Sequence, residues 1–312
     1  MGDLLEVEHL TVRYGGLAAV DDVSLTVTEG QLVGLIGPNG AGKTTFVDAL
    51  SGFVTASGAV RLAGRPIESL RPHRRARLGL SRTFQSLELF EDLTVRENLL
   101  ISAEHPRWWS AIIDAARPTS SKAAGAVDWA LEAVGIADTA DHLPGSLSHG
   151  QRKIVAVARA LASRPLCLLL DEPAAGLETA ESQILGEQFQ QIRDHGISIL
   201  LVDHDMGLVL GICDYLYVLE FGKLIAKGAP AAVRRDPVVI RAYLGEHGEP
   251  ESEDGSDALE GLGERGGTGG GGGDGVGQPA GLGTGPPPAG LGTGPSPGEP
   301  GSPGATDADG RP

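Results

Sequence analysis

Leu32-Val33-Gly34-Leu35-Ile36-Gly37-Pro38-Asn39-Gly40-Ala41-Gly42-Lys43-Thr44-Thr45 joins a short apolar run to a glycine-rich loop, and Phe46-Val47-Asp48-Ala49-Leu50 continues it as a helix-like stretch. A strand, such a loop and a helix in that order build a phosphate cradle. Gly37, Gly40 and Gly42 let the backbone curl so that several N–H groups point inward, and the helix adds its positive N-terminal end. Lys43 is then placed to reach the outer phosphates, and the Thr44 hydroxyl to ligate Mg²⁺. The candidate phosphate-binding residues are therefore Gly37, Pro38, Asn39, Gly40, Ala41, Gly42, Lys43, Thr44 and Thr45. An ordinary glycine turn needs neither that strand nor that helix.

Two more apolar runs end in polar residues. Leu166-Cys167-Leu168-Leu169-Leu170 reads as a strand buried in a parallel sheet and delivers Asp171-Glu172 at its C-terminal end, the edge where α/β folds bind ligands. The two carboxylates divide the work there: Asp171 holds Mg²⁺, while Glu172 orients and polarises an attacking water. Ile197-Ser198-Ile199-Leu200-Leu201-Val202 ends in Asp203-His204-Asp205, which makes His204 a candidate donor to the terminal phosphate. Between these landmarks, Leu147-Ser148-His149-Gly150-Gln151 stands at the start of an amphipathic helix. Ser148 can cap that helix or face a phosphate. Leu78-Gly79-Leu80-Ser81-Arg82-Thr83-Phe84-Gln85 reads as a strand that ends in Gln85, a side chain suited to sense the third phosphate through Mg²⁺ or water.

The N-terminal residues 5–12 and 18–27 alternate like antiparallel strands around Tyr14-Gly15-Gly16. Tyr14 can stack on a purine or cover a sheet edge. The basic run from Arg71 to Arg77 reads as a solvated helix face. From Thr94 to about Leu143 the pattern is helical and predicts a subdomain inserted into the sheet domain, with Trp108 and Trp109 as a packed cap or a docking surface.

The chain has 312 residues, a net charge of -16 and two cysteines. Its acidity argues against nucleic acid as the main partner, and both cysteines read as small buried hydrophobes. No apolar run reaches the ~18 to 20 residues needed to cross a bilayer, and no basic, apolar leader opens the chain, so a cytoplasmic location is expected. Composition changes near Glu246. Twelve acidic residues against Arg265 and Arg311 place -10 of the charge in residues 246–312, which are otherwise rich in Gly and Pro and predict a disordered tail. Ala280 to Pro286 recurs as Ala289 to Pro295, consistent with a duplicated linker.

Taken together, Gly37 to Thr45, Gln85, Leu147 to Gln151, Asp171-Glu172 and His204 resemble, in order and spacing, the ATP-binding cassette family. The resemblance covers about residues 4–245. It implies an α/β P-loop NTPase core with a mixed sheet, an antiparallel β subdomain and a helical subdomain over about residues 86–160. It further implies ATP and Mg²⁺ as cofactors, Tyr14 on the adenine, Gln85 at a membrane partner, and Ser148, His149, Gly150 and Gln151 completing the ATP site of a second ATPase subunit. Ser81-Arg82-Thr83-Phe84-Gln85, Pro173 to Leu177, His204-Asp205-Met206 and Asp236 to Gly245 are similar to importer ATPases for branched-chain and other hydrophobic amino acids, with urea or short amides as the alternative cargo. Permease subunits, an extracytoplasmic substrate-binding protein and a peripheral place on the cytoplasmic face of the membrane follow from that resemblance. A soluble cassette acting in DNA repair or translation is the competing class, but the coiled coils, Cys-x-x-Cys hook or second cassette of such proteins are not seen in the sequence. His149 stands where most cassettes have glycine, and Glu178-Thr179 where this group more often has Asn-Pro.

Overall fold

The computed structural model describes residues 2–83, 89–103 and 121–244. Two long strands, β1 (Asp3–Tyr14) and β2 (Leu17–Thr28), form a hairpin and lead into β3 (Leu32–Ile36) and helix α1 (Lys43–Ser51). β4 (Ser57–Leu62), β5 (Arg65–Pro66), α2 (Pro72–Arg77) and β6 (Leu80–Arg82) follow. The helical region then supplies α3 (Val95–Ala103), α4 (Ser121–Ala133) and α5 (His149–Leu161). The chain finishes with β7 (Cys167–Asp171), α6 (Thr179–Asp194), β8 (Ser198–Val202), α7 (Met206–Ile212), β9 (Tyr215–Glu220), β10 (Lys223–Gly228), α8 (Pro230–Val233) and α9 (Pro237–Leu244).

The strands sort into two sheets. One is antiparallel in the order β2-β1-β4-β5, and the other is mixed in the order β10-β9-β3-β8-β7-β6, with only the β9–β10 pair antiparallel. Every residue of β3, β7 and β8 is buried, as their unbroken apolar runs require of strands covered on both faces. Alternation then divides their side chains between two cores. Leu32, Ile36, Leu168, Leu170, Ile199 and Leu201 face the helices, while Val33, Leu35, Cys167, Leu169, Leu200 and Val202 pack with the antiparallel sheet and α1. Full burial of each such side chain contributes about 1.5–3 kcal/mol, so the sheet is a stiff platform for the loops at its edge. Among the described residues, no helix is long and apolar enough to cross a membrane.

The expected class, a P-loop α/β core with an antiparallel subdomain and an inserted helical region, is the one observed. Details differ. The strand expected over residues 78–85 is only Leu80–Arg82, because Leu78 caps α2 and Gly79 turns the chain at φ 103 against Leu166. The helical pattern stops at Ala133, where Gly135 takes φ 69, and the chain continues through short 3₁₀ turns at Ala137–Thr139 and Pro144–Ser146. The basic run is exposed as expected at Arg71, Arg74 and Arg77, and Arg75 is the exception. It is buried and donates to the carbonyls of Ala49 and Leu50 at the end of α1 and of Glu68 and Leu70, at 2.7–2.9 Å, where a cation complements the negative end of the helix. Trp108, Trp109, Gln85 and the tail lie outside the described residues. Both cysteines are buried as expected; burial pushes the Cys167 thiol up to about 12 and, with Asp214 beside it, raises Cys213 too.

Candidate functional site

The register of the mixed sheet brings the predicted residues to one edge. Leu35 of β3 and Asp171 of β7 both pair with Val202 of β8, so the loops after β3, β7 and β8 emerge side by side. A cavity of ≈ 390 Å³ opens there, lined by Asn39 to Thr45, Glu172, Leu17, Ala18, Ala19, Phe221 and Gly222. Its wall depends on glycine. A Cβ on Gly37 would run into the carbonyl of Leu219, and one on Gly42, at φ 98, into that of Ala19. Gly40, at φ 75, has nothing near it and leaves room for a ligand to approach the backbone. Gly42 is also the N-cap of α1, so the first N–H groups of that helix belong to the loop. Lys43 is buried, and its ammonium donates to the carbonyls of Gly37 (2.6 Å) and Pro38 (2.9 Å), which centres the charge on the loop.

The two carboxylates have different surroundings. Asp171 is 2% exposed; its Oδ2 accepts from Arg82 at 2.8 Å, while Oδ1 is buried with no hydrogen-bond partner. Burial raises its pKa, against the opposing pull of Arg82. Arg82 also reaches Asp48 of α1 at 2.5 Å, tying the phosphate-loop helix to the end of β7. Glu172 has φ 49, an uncommon conformation for a residue with a side chain, and is held in it by its own N–H donating to Val202 at 2.7 Å. That bend turns Glu172 into the cavity beside Lys43, Thr44 and Thr45.

Asp203 fastens the neighbouring loops. Fully buried, it accepts from the N–H groups of Ala174, His204 and Asp205 at 2.8–3.1 Å, so the chain after β7 and the chain after β8 share one carboxylate. His204 lies on the same edge, its Nδ1 3.6 Å from Asp203 and its side chain 55% exposed. Ser148 and Gln151 form a capping box at the start of α5, with Ser148 Oγ accepting from Gln151 N–H and Gln151 Oε1 from Ser148 N–H. Ser148, His149 and Gln151 are exposed, and none of residues 148–151 lines the cavity. Tyr14 ends β1 half exposed and directly opposite the lining residue Leu17, without itself lining the cavity.

The fit of a nucleotide and a cation follows from this geometry. The loop offers backbone donors, a lysine and a helix N-terminus to phosphates, and the exposed Thr44 hydroxyl on the cavity wall and the partnerless Asp171 oxygen, which is not among the lining residues, are hard oxygen donors of the kind Mg²⁺ takes. Residues 20–175 match the ABC transporter family, and residues 223–249 match the branched-chain amino acid ATP-binding cassette transporter family. The chain belongs to the ABC transporter family. The cassette is 42% identical over 251 residues to the high-affinity branched-chain amino acid transport ATP-binding protein LivG of Salmonella typhimurium, covering 78% of this chain and 98% of that protein. It is 36% identical over 245 residues, with the same coverage, to the lipopolysaccharide export system ATP-binding protein LptB of Haemophilus influenzae. The crystal structure of the ADP conformation of an ATP-binding cassette of an ABC transporter matches with a TM-score of 0.70 at 30% identity, covering 78% of this chain and all of that one. The cassette is thus an ATP-binding ATPase whose hydrolysis is coupled to transport.

Residues that sequence reasoning did not place in the site include Arg82 and Asp203, just described, Leu17, Ala18, Ala19, Phe221 and Gly222 on the cavity wall, and Lys153. Lys153 of α5 is buried and donates to the carbonyls of Pro173 (2.8 Å) and Ala175, pinning the loop that follows Glu172 to the helix that begins at His149. His149 itself comes near Gly176, its Nε2 being 3.9 Å from the Cβ position there. A lysine one turn inside an amphipathic helix is the signal that could have marked Lys153; Asp203, first after an apolar strand, carried the same signal as Asp171.

Proposed function

We propose that this cassette is the ATP-hydrolysing subunit of a membrane importer for branched-chain and other hydrophobic amino acids, acting as a dimer on permease subunits at the cytoplasmic face of the membrane. The observation that carries the cargo class is the match of residues 223–249, beyond the general ATPase motifs, to the branched-chain amino acid group. The higher identity to the LivG relative than to the lipopolysaccharide-export relative supports it. An extracytoplasmic substrate-binding protein completes such a system.

In this reading Gly37 to Thr45 wrap the phosphates, with Lys43 on the outer ones. Thr44 and Asp171 would hold Mg²⁺, which when bound would supply positive charge to offset that developing on the phosphate oxygens. Glu172, turned into the cavity by its backbone, accepts a proton from the attacking water, and His204 orients the terminal phosphate from the next strand. Tyr14 stands by the base, and Gln85 links the site to the permease. Ser148 to Gln151 lie off the lining of their own chain's cavity, as expected if they close the site of a second ATPase subunit.

The direct test is uptake. In cells lacking this gene, wild-type protein is expected to restore accumulation of labelled leucine and isoleucine, and Lys43→Ala to restore none. Uptake of these amino acids that is the same with and without the gene would overturn the cargo assignment.

A further inference from the structure

One residue of the cavity is explained neither by the turn it occupies nor by the core. Phe221 and Gly222 form the two-residue turn between β9 and β10, whose strands pair from Glu220 and Lys223. Both take positive φ, 45 and 77. A turn of that geometry favours Asn-Gly or Asp-Gly, and a bulky residue at its first position is an outlier. Burial gives no compensation, since Phe221 is 84% exposed.

The turn is nevertheless fixed against the nucleotide site. Gly222 N–H donates to Ala41 of the phosphate loop at 2.9 Å, and Gly222 C=O accepts from Asp21 at 2.8 Å. A Cβ on Gly222 would come within 2.7 Å of the Ala19 carbonyl, so the backbone is pressed on β2. Lys223 adds an ion pair to Asp21 at 3.4 Å. The backbone that carries Phe221 is thereby fixed, and Phe221 stands on the wall of the ≈ 390 Å³ cavity together with Leu17, itself 69% exposed, and Ala18 and Ala19. Apart from Glu172 and Gly222, the lining thus divides into the candidate phosphate-binding set, Asn39 to Thr45, and an apolar set with one aromatic residue. A nucleoside triphosphate has the matching pair of parts, an anion and a flat base.

The geometry points to Phe221 as a nucleobase-binding residue, whose ring covers the adenine of ATP against Leu17. This rests on the reading of residues 37–45 as the phosphate site. Ring contact carries no hydrogen-bond code, so ATP and GTP should benefit alike.

Calorimetric titration of the full-length protein with ATP, GTP and inorganic tripolyphosphate separates base from phosphate. Phe221→Asn, which suits the positive φ and should leave the melting temperature unchanged or higher, is expected to weaken ATP and GTP by about 5- to 10-fold, the scale of one base–aromatic stack, and to leave tripolyphosphate affinity unaltered. Phe221→Trp should restore ATP affinity. Unchanged ATP affinity in Phe221→Asn would overturn the inference, as would an equal loss for tripolyphosphate, which would assign the turn to shaping the phosphate loop. Wild-type protein that binds tripolyphosphate as tightly as ATP would overturn the base contact and leave the phosphate site standing; wild-type protein that binds neither would overturn both.

Discussion

Asp171 and Glu172 are sequence neighbours with opposite circumstances. The first is sealed at the end of β7 with one oxygen on Arg82, and the second is bent into the cavity by a positive φ. Glu172→Gln preserves the shape of the side chain but removes a base, so hydrolysis should fall by at least ~10²-fold while ATP still binds and, in size-exclusion chromatography with ATP, a dimer accumulates. Asp171→Asn should instead weaken Mg²⁺-dependent binding and trap no dimer. Wild-type turnover in Glu172→Gln would remove it from the mechanism. The positions of both residues were legible because an unbroken apolar run ending in acid can be little else than a buried parallel strand reaching the ligand edge. What could not be read was Arg82, whose partners include Asp48 and Asp171, carboxylates that meet only when α1 and β7 are side by side.

Helices and strands show the same limit at larger scale. The basic run of α2 looks identical in sequence whether its arginines meet water or carbonyls, and only the packing of α2 on the end of α1 selects Arg75 for burial. Arg75→Met would take one donor from each of four carbonyls, of which Ala49 keeps the N–H of Gly52, and we expect a loss of about 3 kcal/mol, read as roughly 6–12 °C in melting temperature for a domain of this size. Lys153 joins α5 to the loop after β7 at the price of desolvation, which lowers its pKa below 10.5, while Asp203 and Glu172 pull it back up. Between that lowered value and 10.5 the unfolded chain holds the proton more often than the folded one, so stability from this group rises with pH. The unfolding free energy of wild type relative to Lys153→Met should therefore grow as pH is raised toward 10.5; a gap that narrows would contradict the burial argument. The Phe221 turn was hidden for a related reason: its contacts to Ala41 and Asp21 join segments far apart in the chain.

At the scale of the whole molecule, the two cores on either face of the mixed sheet are built, among the described residues, from members as far along as Val239 with Tyr243 packed against one of them, and the Gly/Pro-rich segment 246–312 follows in sequence. Its composition offers little apolar area to add, so deleting residues 246–312 is expected to leave ATP hydrolysis and the melting temperature nearly unchanged. A clear fall in either would give the segment a structural or catalytic part. The chain's two cysteines both sit inside these cores, with thiols poorly ionised at neutral pH. The native protein is therefore expected to react only slowly with thiol reagents. A single cysteine introduced beside the cavity or at His149 would carry a fluorophore or spin label over little background. The slow reaction of the native pair would meanwhile time how often the sheet opens, a clock for local unfolding that needs no substitution at all.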